Sequence, residues 1–117
     1  MKQDEIVVLG IDEIKGEEKE PGLIVKLLAT GENVSLSLLQ AQPGKSFEVH
    51  QHEEEELCYI HQGKGVMTIG EKSYEIVAPV VVRVPPNLKH GLSVTGTEPL
   101  LKLNAHSPPR TKALKRK

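Results

Sequence analysis

The chain has 117 residues, enough for one domain with a modest core. Its formal net charge of −1 gives no overall electrostatic field that would attract nucleic acid or an anionic membrane surface. No apolar run is long enough to span a bilayer, and the acidic N-terminal sequence lacks the apolar segment of a signal peptide. We therefore expect a cytoplasmic protein whose partner is a small molecule, with no nucleic-acid or membrane partner.

Apolar and polar residues alternate with a period of two along most of the chain, which is typical of β-strands. Turn residues separate the runs, as at Pro43-Gly44 and Gly63-Lys64-Gly65. The predicted strands are 5–11, 23–28, 34–40, 46–52, 55–62, 66–69, 73–77, 80–84, 88–94 and 100–106, and 12–22 is predicted to be a solvated connection. Short strands at this spacing, without sustained helical periodicity, predict an all-β sandwich or barrel.

Residues 111–117 are strongly basic and follow a Pro-Pro sequence that breaks the last predicted strand. Such a segment is more often a solvated, disordered tail than a functional element. A nucleic-acid-binding tail is the alternative, but no aromatic residues interleave with the basic ones. We place the folded domain at 1–110 and the tail at 111–117.

Cys58 is the single cysteine, so an internal disulfide is impossible. Its neighbours Leu57, Tyr59 and Ile60 indicate a buried thiol that packs as a small apolar residue. A redox or metal-binding role for this thiol is the less favoured alternative.

Four residues have the chemistry and the spacing of a metal site. His50 and His52 are two residues apart, so on an extended strand their side chains leave from the same face. Glu56 lies at the start of the next strand and His90 near the start of a later one. Three imidazole nitrogens and one carboxylate oxygen suit Mn, Fe, Co, Ni, Cu or Zn rather than Ca or Mg. The pattern predicts one divalent transition metal.

The same spacing carries a resemblance to a known family. The first motif of the cupin superfamily is matched without a gap by Gly44, His50, His52, Glu56 and Gly63, and its second motif by Pro85, Asn87 and His90. Asn87 stands where the family has Gly, and Asn tolerates positive φ better than most residues. The resemblance implies a single-domain cupin β-barrel of the jelly-roll type, with two antiparallel sheets and the four metal ligands named above. Moving the carboxylate ligand to Glu54 or Glu55 would break the family spacing.

Three further residues depart from the family pattern and could change the local turn geometry: Pro79 stands where the family usually has Gly, Val80 where it often has Asp, and Val94 where it often has Asn. None of them removes a predicted ligand. His61 is predicted at the surface or at a subunit contact. Arg83 could point inward or lie on the surface with its charged end in water.

The last strand, LLKLNAHSPPR, resembles the end of small cupins of pectin degradation that ketonise unsaturated uronates. Those relatives carry Asp, Phe and Arg facing the metal pocket, and the matching positions here are Asn104, His106 and Arg110. The resemblance implies that these three are catalytic-site residues, with Arg110 able to bind a carboxylate bidentately. Asn104 cannot act as a proton-transferring carboxylate. His106 could be a replacement base or a polar wall residue. Glu56 also departs, since that subfamily commonly has Gln.

Two functions remain open at this point. The first is a metalloenzyme of isomerase, lyase or dioxygenase type that acts on a sugar acid, a keto acid or an enediol. The second is a non-catalytic module that binds a small molecule or senses metal. A regulator would usually carry a DNA-binding domain beside the barrel, so its absence from this sequence favours the enzyme. We also expect a homodimer formed through apolar residues around Val7, Leu9, Ile24 and Leu27.

Overall fold

The structure is a computed structural model that describes residues 6–110; residues 1–5 and the predicted basic tail at 111–117 lie outside the described residues. The strands are β1 (Glu17–Glu20), β2 (Leu23–Thr30), β3 (Ser35–Ala41), β4 (Ser46–His50), β5 (Glu55–Gln62), β6 (Lys64–Ile69), β7 (Lys72–Val77), β8 (Val80–Val84), β9 (His90–Val94) and β10 (Leu100–Ser107). A single 3-10 turn covers Ile11–Glu13 within the described range. No helix there is long and apolar enough to cross a membrane.

The strands form two antiparallel sheets, which confirms the predicted all-β fold class. The six-stranded sheet has the order β1-β2-β3-β10-β5-β8, and the four-stranded sheet has the order β4-β9-β6-β7. The chain thus crosses between the sheets several times, and residues distant in sequence become neighbours. The two halves of the predicted metal motif lie on β4 and β9, which pair with each other.

The N-terminal part of the strand prediction is wrong. Residues 6–10 form no strand, although Ile6 and Val8 belong to an apolar run rich in β-branched residues. Their side chains are 86% and 89% exposed. The predicted solvated connection at 12–22 instead contains β1, which pairs with β2 at the edge of the six-stranded sheet. Charged residues are tolerated there because an edge strand has one side open to water.

The apolar core is aliphatic, as the near absence of aromatic residues predicts. Its most deeply buried members include Leu39, Ile60, Met67 and Leu100. The turn between β5 and β6 lies tightly against this core: Gly63 has φ +101°, and a Cβ there would be 2.7 Å from Leu100 Cα. Only glycine combines that backbone conformation with that approach.

Cys58 lies on the inward face of β5, where its side chain is 5% exposed. Burial raises the pKa of this thiol to about 11. The prediction of a buried thiol that packs as an apolar residue is confirmed, because a thiol with so high a pKa carries almost no thiolate at neutral pH.

At one end of the barrel the interior is lined by polar side chains. On β10 the inward residues Lys102, Asn104 and His106 are buried, while Leu101 and Leu103 on the other face are partly exposed. The antiparallel register sets His106 opposite Glu56 of β5. On β3 the same register brings buried serines into this polar layer, so the strand that was predicted to be half-buried is covered on both faces. These residues surround the candidate site.

Candidate metal centre

The predicted metal ligands converge where the two sheets meet. His50 is the last residue of β4 and lies opposite His90, the first residue of β9. Glu56 comes from β5 of the other sheet. His52 lies just beyond the end of β4, so the expectation that His50 and His52 share one strand is wrong. The imidazole rings nevertheless lie together: the centroid of His90 is 4.4 Å from that of His50 and 4.7 Å from that of His52.

A turn contributed by the second motif holds His52 in place. The backbone N–H of Asn87 donates a 2.8 Å hydrogen bond to the carbonyl oxygen of His52. Asn87 adopts φ +64°, the left-handed conformation for which the family uses glycine and which asparagine tolerates. The substitution of Asn for Gly therefore keeps the turn. The turn fixes the backbone of His52, one of the predicted ligands.

Backbone carbonyls orient all three imidazole rings. The Nδ1 atoms of His50, His52 and His90 lie 2.9, 3.0 and 2.9 Å from the carbonyl oxygens of Glu48, Glu54 and Leu88. A carbonyl only accepts, so each Nδ1 carries the proton and each Nε2 presents a lone pair. The Nε2 atoms of His52 and His90 are buried without a hydrogen-bond partner. Buried nitrogen lone pairs that converge in this way are what a metal ion requires.

Glu56 completes the donor set. Its Oε1 lies 3.4 Å from His52 Nε2, 3.6 Å from His90 Nε2 and 3.0 Å from His106 Nε2. Burial alone would raise the pKa of Glu56, but the hydrogen bond from His106 and the charge of Lys102 outweigh burial and hold that pKa far below its usual range. The carboxylate is therefore ionised, as a metal ligand must be.

The donor atoms form two overlapping groups, His50 with His52 and His90, and His52 with Glu56 and His106, whose atoms within each group lie within 4.8 Å of one another. This His/Glu cluster fits one divalent transition metal. His106 belongs to the cluster as well as to the cavity wall. Burial lowers its pKa, and the charge of Arg110 adds to that effect against the hydrogen bond to Glu56, so the ring is neutral.

A cavity of about 240 Å³ opens beside the cluster, and Asn104, His106 and Arg110 all line it. Two cations that the sequence analysis did not single out, Lys19 and Lys102, line it too. Apolar side chains from both sheets, Val25, Leu39, Phe47, Met67 and Leu92, form the remaining wall. The site thus combines a ligand cluster, cationic groups and an apolar surface.

The side chain of Arg110 lies at this cavity because its backbone is tied to the β2–β3 hairpin. Its N–H donates to Ser35 Oγ at 2.8 Å, and its carbonyl oxygen accepts from Thr30 Oγ1 at 3.2 Å. Its Nε is 3.5 Å from a carboxylate oxygen of Glu54. Arg110 is thus held both by its backbone and by the carboxylate of Glu54.

The neighbouring acidic residues have other partners. Glu54 faces Arg110 and His52, and Glu55 accepts a 2.6 Å hydrogen bond from Arg83 on the outer face of the sheet. Arg83 is thus a surface residue, which settles the alternative left open by the sequence. His61 is exposed, as expected. Of the four consecutive glutamates, Glu56 is the one whose carboxylate lies among the histidines.

Comparison with known proteins fits this geometry. Residues 37–105 match the protein family described as "Cupin domain". The chain belongs to the cupin family. In sequence, this cupin is 28% identical to protein MJ1618 of Methanocaldococcus jannaschii over 110 residues, which is 89% of this chain and 88% of that protein.

Solved cupin structures share the whole architecture. An RmlC-like cupin from Shewanella frigidimarina superposes with a TM-score of 0.82 at 18% identity, covering 93% of this chain and 96% of the other. KdgF from Halomonas sp. gives 0.77 at 22% identity, covering 86% and 93%. A predicted oxalate decarboxylase from Thermotoga maritima gives 0.78 at 23% identity, covering 86% and 98%. At these identities the likeness shows the fold alone.

The ionisation of the cluster predicts that acid destabilises the metal-free protein. Folding lowers the pKa values of His50 and His106 from about 6.5 and that of Glu56 from about 4.5. The unfolded chain therefore binds more protons than the folded one as the pH falls below these ordinary values. We expect the melting temperature, followed by circular dichroism after chelation, to fall steadily from pH 7.5 to pH 4.

A matched pair of variants checks the source of this pH dependence. His106→Gln should reduce the loss of stability between pH 7 and pH 5.5, because one buried neutral imidazole is removed. The surface variant His61→Gln should keep the slope of the parent. A melting temperature that is constant or rises on acidification would contradict the assignment of these groups.

Proposed function

We propose that this cupin is a metal-dependent enzyme that acts on a small, oxygen-rich molecule bearing a carboxylate, such as a sugar acid or a keto acid. The observation that carries the proposal is the group of three imidazoles whose Nδ1 atoms lie against backbone carbonyls. The Nε2 atoms of two of them, His52 and His90, lie 3.4 and 3.6 Å from Glu56 Oε1. A cavity with cationic side chains adjoins this set. Metal ligands next to cationic groups suit a substrate that is anionic and that has oxygen atoms to coordinate.

His50, His52, His90 and Glu56 would hold one divalent transition metal: Mn, Fe, Co, Ni, Cu or Zn. Such an ion would supply Lewis acidity for polarising a carbonyl or stabilising an enolate, or oxygen chemistry if it is iron. The protein contributes neutral imidazoles, whose lone pairs are already directed inward, and a carboxylate that stays ionised despite burial. A site arranged in this way needs little rearrangement when the ion binds.

The carboxylate of the substrate would bind Arg110 at the mouth of the cavity. Its backbone is fixed by two hydrogen bonds to the β2–β3 hairpin, so the guanidinium is delivered from a rigid support. Lys19, whose Nζ is 3.4 Å from a carboxylate oxygen of Glu17, lines the same cavity. The volume of about 240 Å³ admits a molecule with few heavy atoms rather than a polymer. A predicted oxalate decarboxylase among the similar structures fits the expectation of a small acid, as does the resemblance of the last strand to uronate-ketonising cupins.

Proton transfer would involve a different group from the Asp of those uronate enzymes. Asn104 has no carboxylate, and its Oδ1 already accepts a hydrogen bond from Lys102 at 2.6 Å. His106 Nε2 is engaged by Glu56, whereas its Nδ1 is buried without a partner. The unpartnered nitrogen supports His106 as the base of an isomerase or lyase reaction.

The first prediction of the proposed function concerns metal content. Because the ligands come from separate elements that meet only in the folded state, a bound metal should stabilise the protein by mass action. EDTA should remove the metal and lower the melting temperature by roughly 5 °C or more. His52→Ala should lose most of the metal, since only water can fill the open position, while Glu56→Gln should keep metal through its amide oxygen, with lower affinity.

Elemental analysis of each purified variant gives the metal-to-protein ratio directly. His61→Ala is the matched control, because His61 is exposed on β5, the strand that carries Glu56. It should keep the full metal-to-protein ratio. The proposed metal site would be overturned if the wild-type protein is purified without metal and its melting temperature is unchanged by EDTA and by added Co²⁺. Metal and ligand binding without turnover would instead support the binding module.

The second prediction concerns the substrate class. If the reaction is ketonisation of unsaturated uronates, Asn104→Asp should raise turnover by roughly 10²-fold or more, because it restores a carboxylate for proton transfer. Arg110→Ala should raise KM strongly and leave metal content unchanged, since it removes a carboxylate partner. Assays by ultraviolet absorbance on unsaturated uronates, beside a panel of keto acids, measure both effects. Unchanged uronate turnover in a folded, metal-loaded Asn104→Asp protein would assign the substrate to another class of acid.

The third prediction concerns the homodimer proposed from the sequence. Val7 and Leu9 are 42% and 54% exposed, which supports an apolar contact surface at the N-terminal segment, while Ile24 and Leu27 are half-buried. We expect a dimer at tens of micromolar in sedimentation velocity, and Leu9→Lys should dissociate it. Val81→Lys, on a separate exposed apolar position, is the control. A monomeric wild type would rule out the dimer, and dissociation by Val81→Lys alone would move the interface to the outer face of β8.

A further inference from the structure

Lys102 is the most deeply buried cation of the described chain that the metal site does not require as a ligand. It projects from β10 into the barrel with 6% of its surface exposed. Its Nζ donates to Glu56 Oε2 at 2.7 Å and to Asn104 Oδ1 at 2.6 Å. A lysine is almost never so buried without a charged partner. Here the partner is itself a predicted metal ligand.

The two oxygens of Glu56 are divided between different neighbours. Oε1 faces the Nε2 atoms of His52, His90 and His106, at 3.4, 3.6 and 3.0 Å. Oε2 accepts the hydrogen bond from Lys102 at 2.7 Å. A carboxylate that coordinates through both oxygens would have to give up this short, charge-assisted hydrogen bond. Lys102 therefore leaves Glu56 a single oxygen for the metal.

The charge of Lys102 has a second effect. The three imidazoles are neutral ligands, so the carboxylate of Glu56 is the only negative charge among the four predicted ligands. The ammonium at 2.7 Å cancels that charge. A bound divalent ion would then keep nearly its whole positive charge for an anionic molecule entering the cavity, as it would with the Gln of the resembled uronate enzymes.

We propose that Lys102 is a positioning residue that limits Glu56 to one coordinating oxygen and neutralises its charge, which reserves both a coordination position and positive charge for a carboxylate ligand. The inference rests on the proposed metal site and goes beyond it, because Lys102 acts on the metal only through Glu56. It assigns a function to a residue that the cupin motifs do not include.

Co²⁺ is the probe for the test, because its visible absorption reports coordination number. Lys102→Met replaces the lysine by an unbranched, uncharged side chain. Lys26→Met is the matched control, because Lys26 lies on β2 and donates a hydrogen bond to the Ile11 carbonyl, away from the metal site. We expect Lys102→Met to bind Co²⁺ about tenfold more tightly or better, because the carboxylate is no longer neutralised. Its absorption should weaken as both oxygens coordinate, and the affinity of the loaded protein for pyruvate should fall about tenfold.

Two further variants make the outcome decisive. Lys102→Arg keeps the positive charge and should keep the spectrum of the parent. If Lys102→Met does not fold, Glu56→Gln is compared with Glu56→Gln/Lys102→Met, and the double variant should bind Co²⁺ more tightly than the single one because no unpaired ammonium then faces the ion.

The failure of this inference is distinct from failure of the metal site. A wild type that binds no Co²⁺ would overturn the proposed function. A wild type that binds Co²⁺, together with a Lys102→Met variant whose spectrum, Co²⁺ affinity and pyruvate affinity match those of Lys26→Met, would leave the metal site in place and overturn the role of Lys102. In the Gln pair, equal Co²⁺ affinities would overturn it as well.

Discussion

The buried carboxylate of Glu56 is the constraint on which the rest of the site depends. An ionised group with so little exposure is stable only when charged or hydrogen-bonding partners surround it. Lys102 and His106 of β10 provide these partners from within the same sheet. The Nε2 atoms of His52 and His90 face the carboxylate from the other side, where a metal ion would join them to it. The buried polar layer inside the barrel follows from this requirement, because Lys102 and His106 must be buried beside the carboxylate.

Much of the fold could be predicted from the alternation of apolar and polar residues, and the errors have a common physical origin. β8 (Val80–Val84) and β5 (Glu55–Gln62) lie at the predicted bounds. β1 was missed because its sequence, Glu-Glu-Lys-Glu, has no apolar alternation; only pairing with β2 at the sheet edge makes it a strand. Residues 6–10 are apolar and rich in β-branched residues but pair with no neighbouring strand. Periodicity describes a strand's faces, whereas pairing decides whether the strand exists.

The site could be predicted in part. The motif spacing identified the three histidines and Glu56, and the resemblance of the last strand placed Asn104, His106 and Arg110 together, as the cavity does. Lys102 escaped because β10 inverts the usual pattern: its inward face carries Lys102, Asn104 and His106, and its outward face carries leucines. A hydrophobicity argument alone turns the leucines inward. The position of Lys102 two residues before Asn104 was the available signal, since residues two apart on a strand share a face.

The attachment of Arg110 to the β2–β3 hairpin makes the mouth of the cavity adjustable from outside it. Ser35 and Thr30 hold the backbone of Arg110 but coordinate nothing, and Ser107 Oγ donates to the Asn33 carbonyl in the same hairpin at 2.7 Å. Three hydrogen bonds therefore join the hairpin to the end of the chain around β10. A change of loop length or sequence around Asn33 would shift the backbone that carries the guanidinium. Under the proposed function, the group that binds the carboxylate is attached to the β2–β3 hairpin of one sheet, whereas His50 and His90 lie on paired strands of the other sheet. The entrance and the ligand cluster are thus carried by separate parts of the barrel.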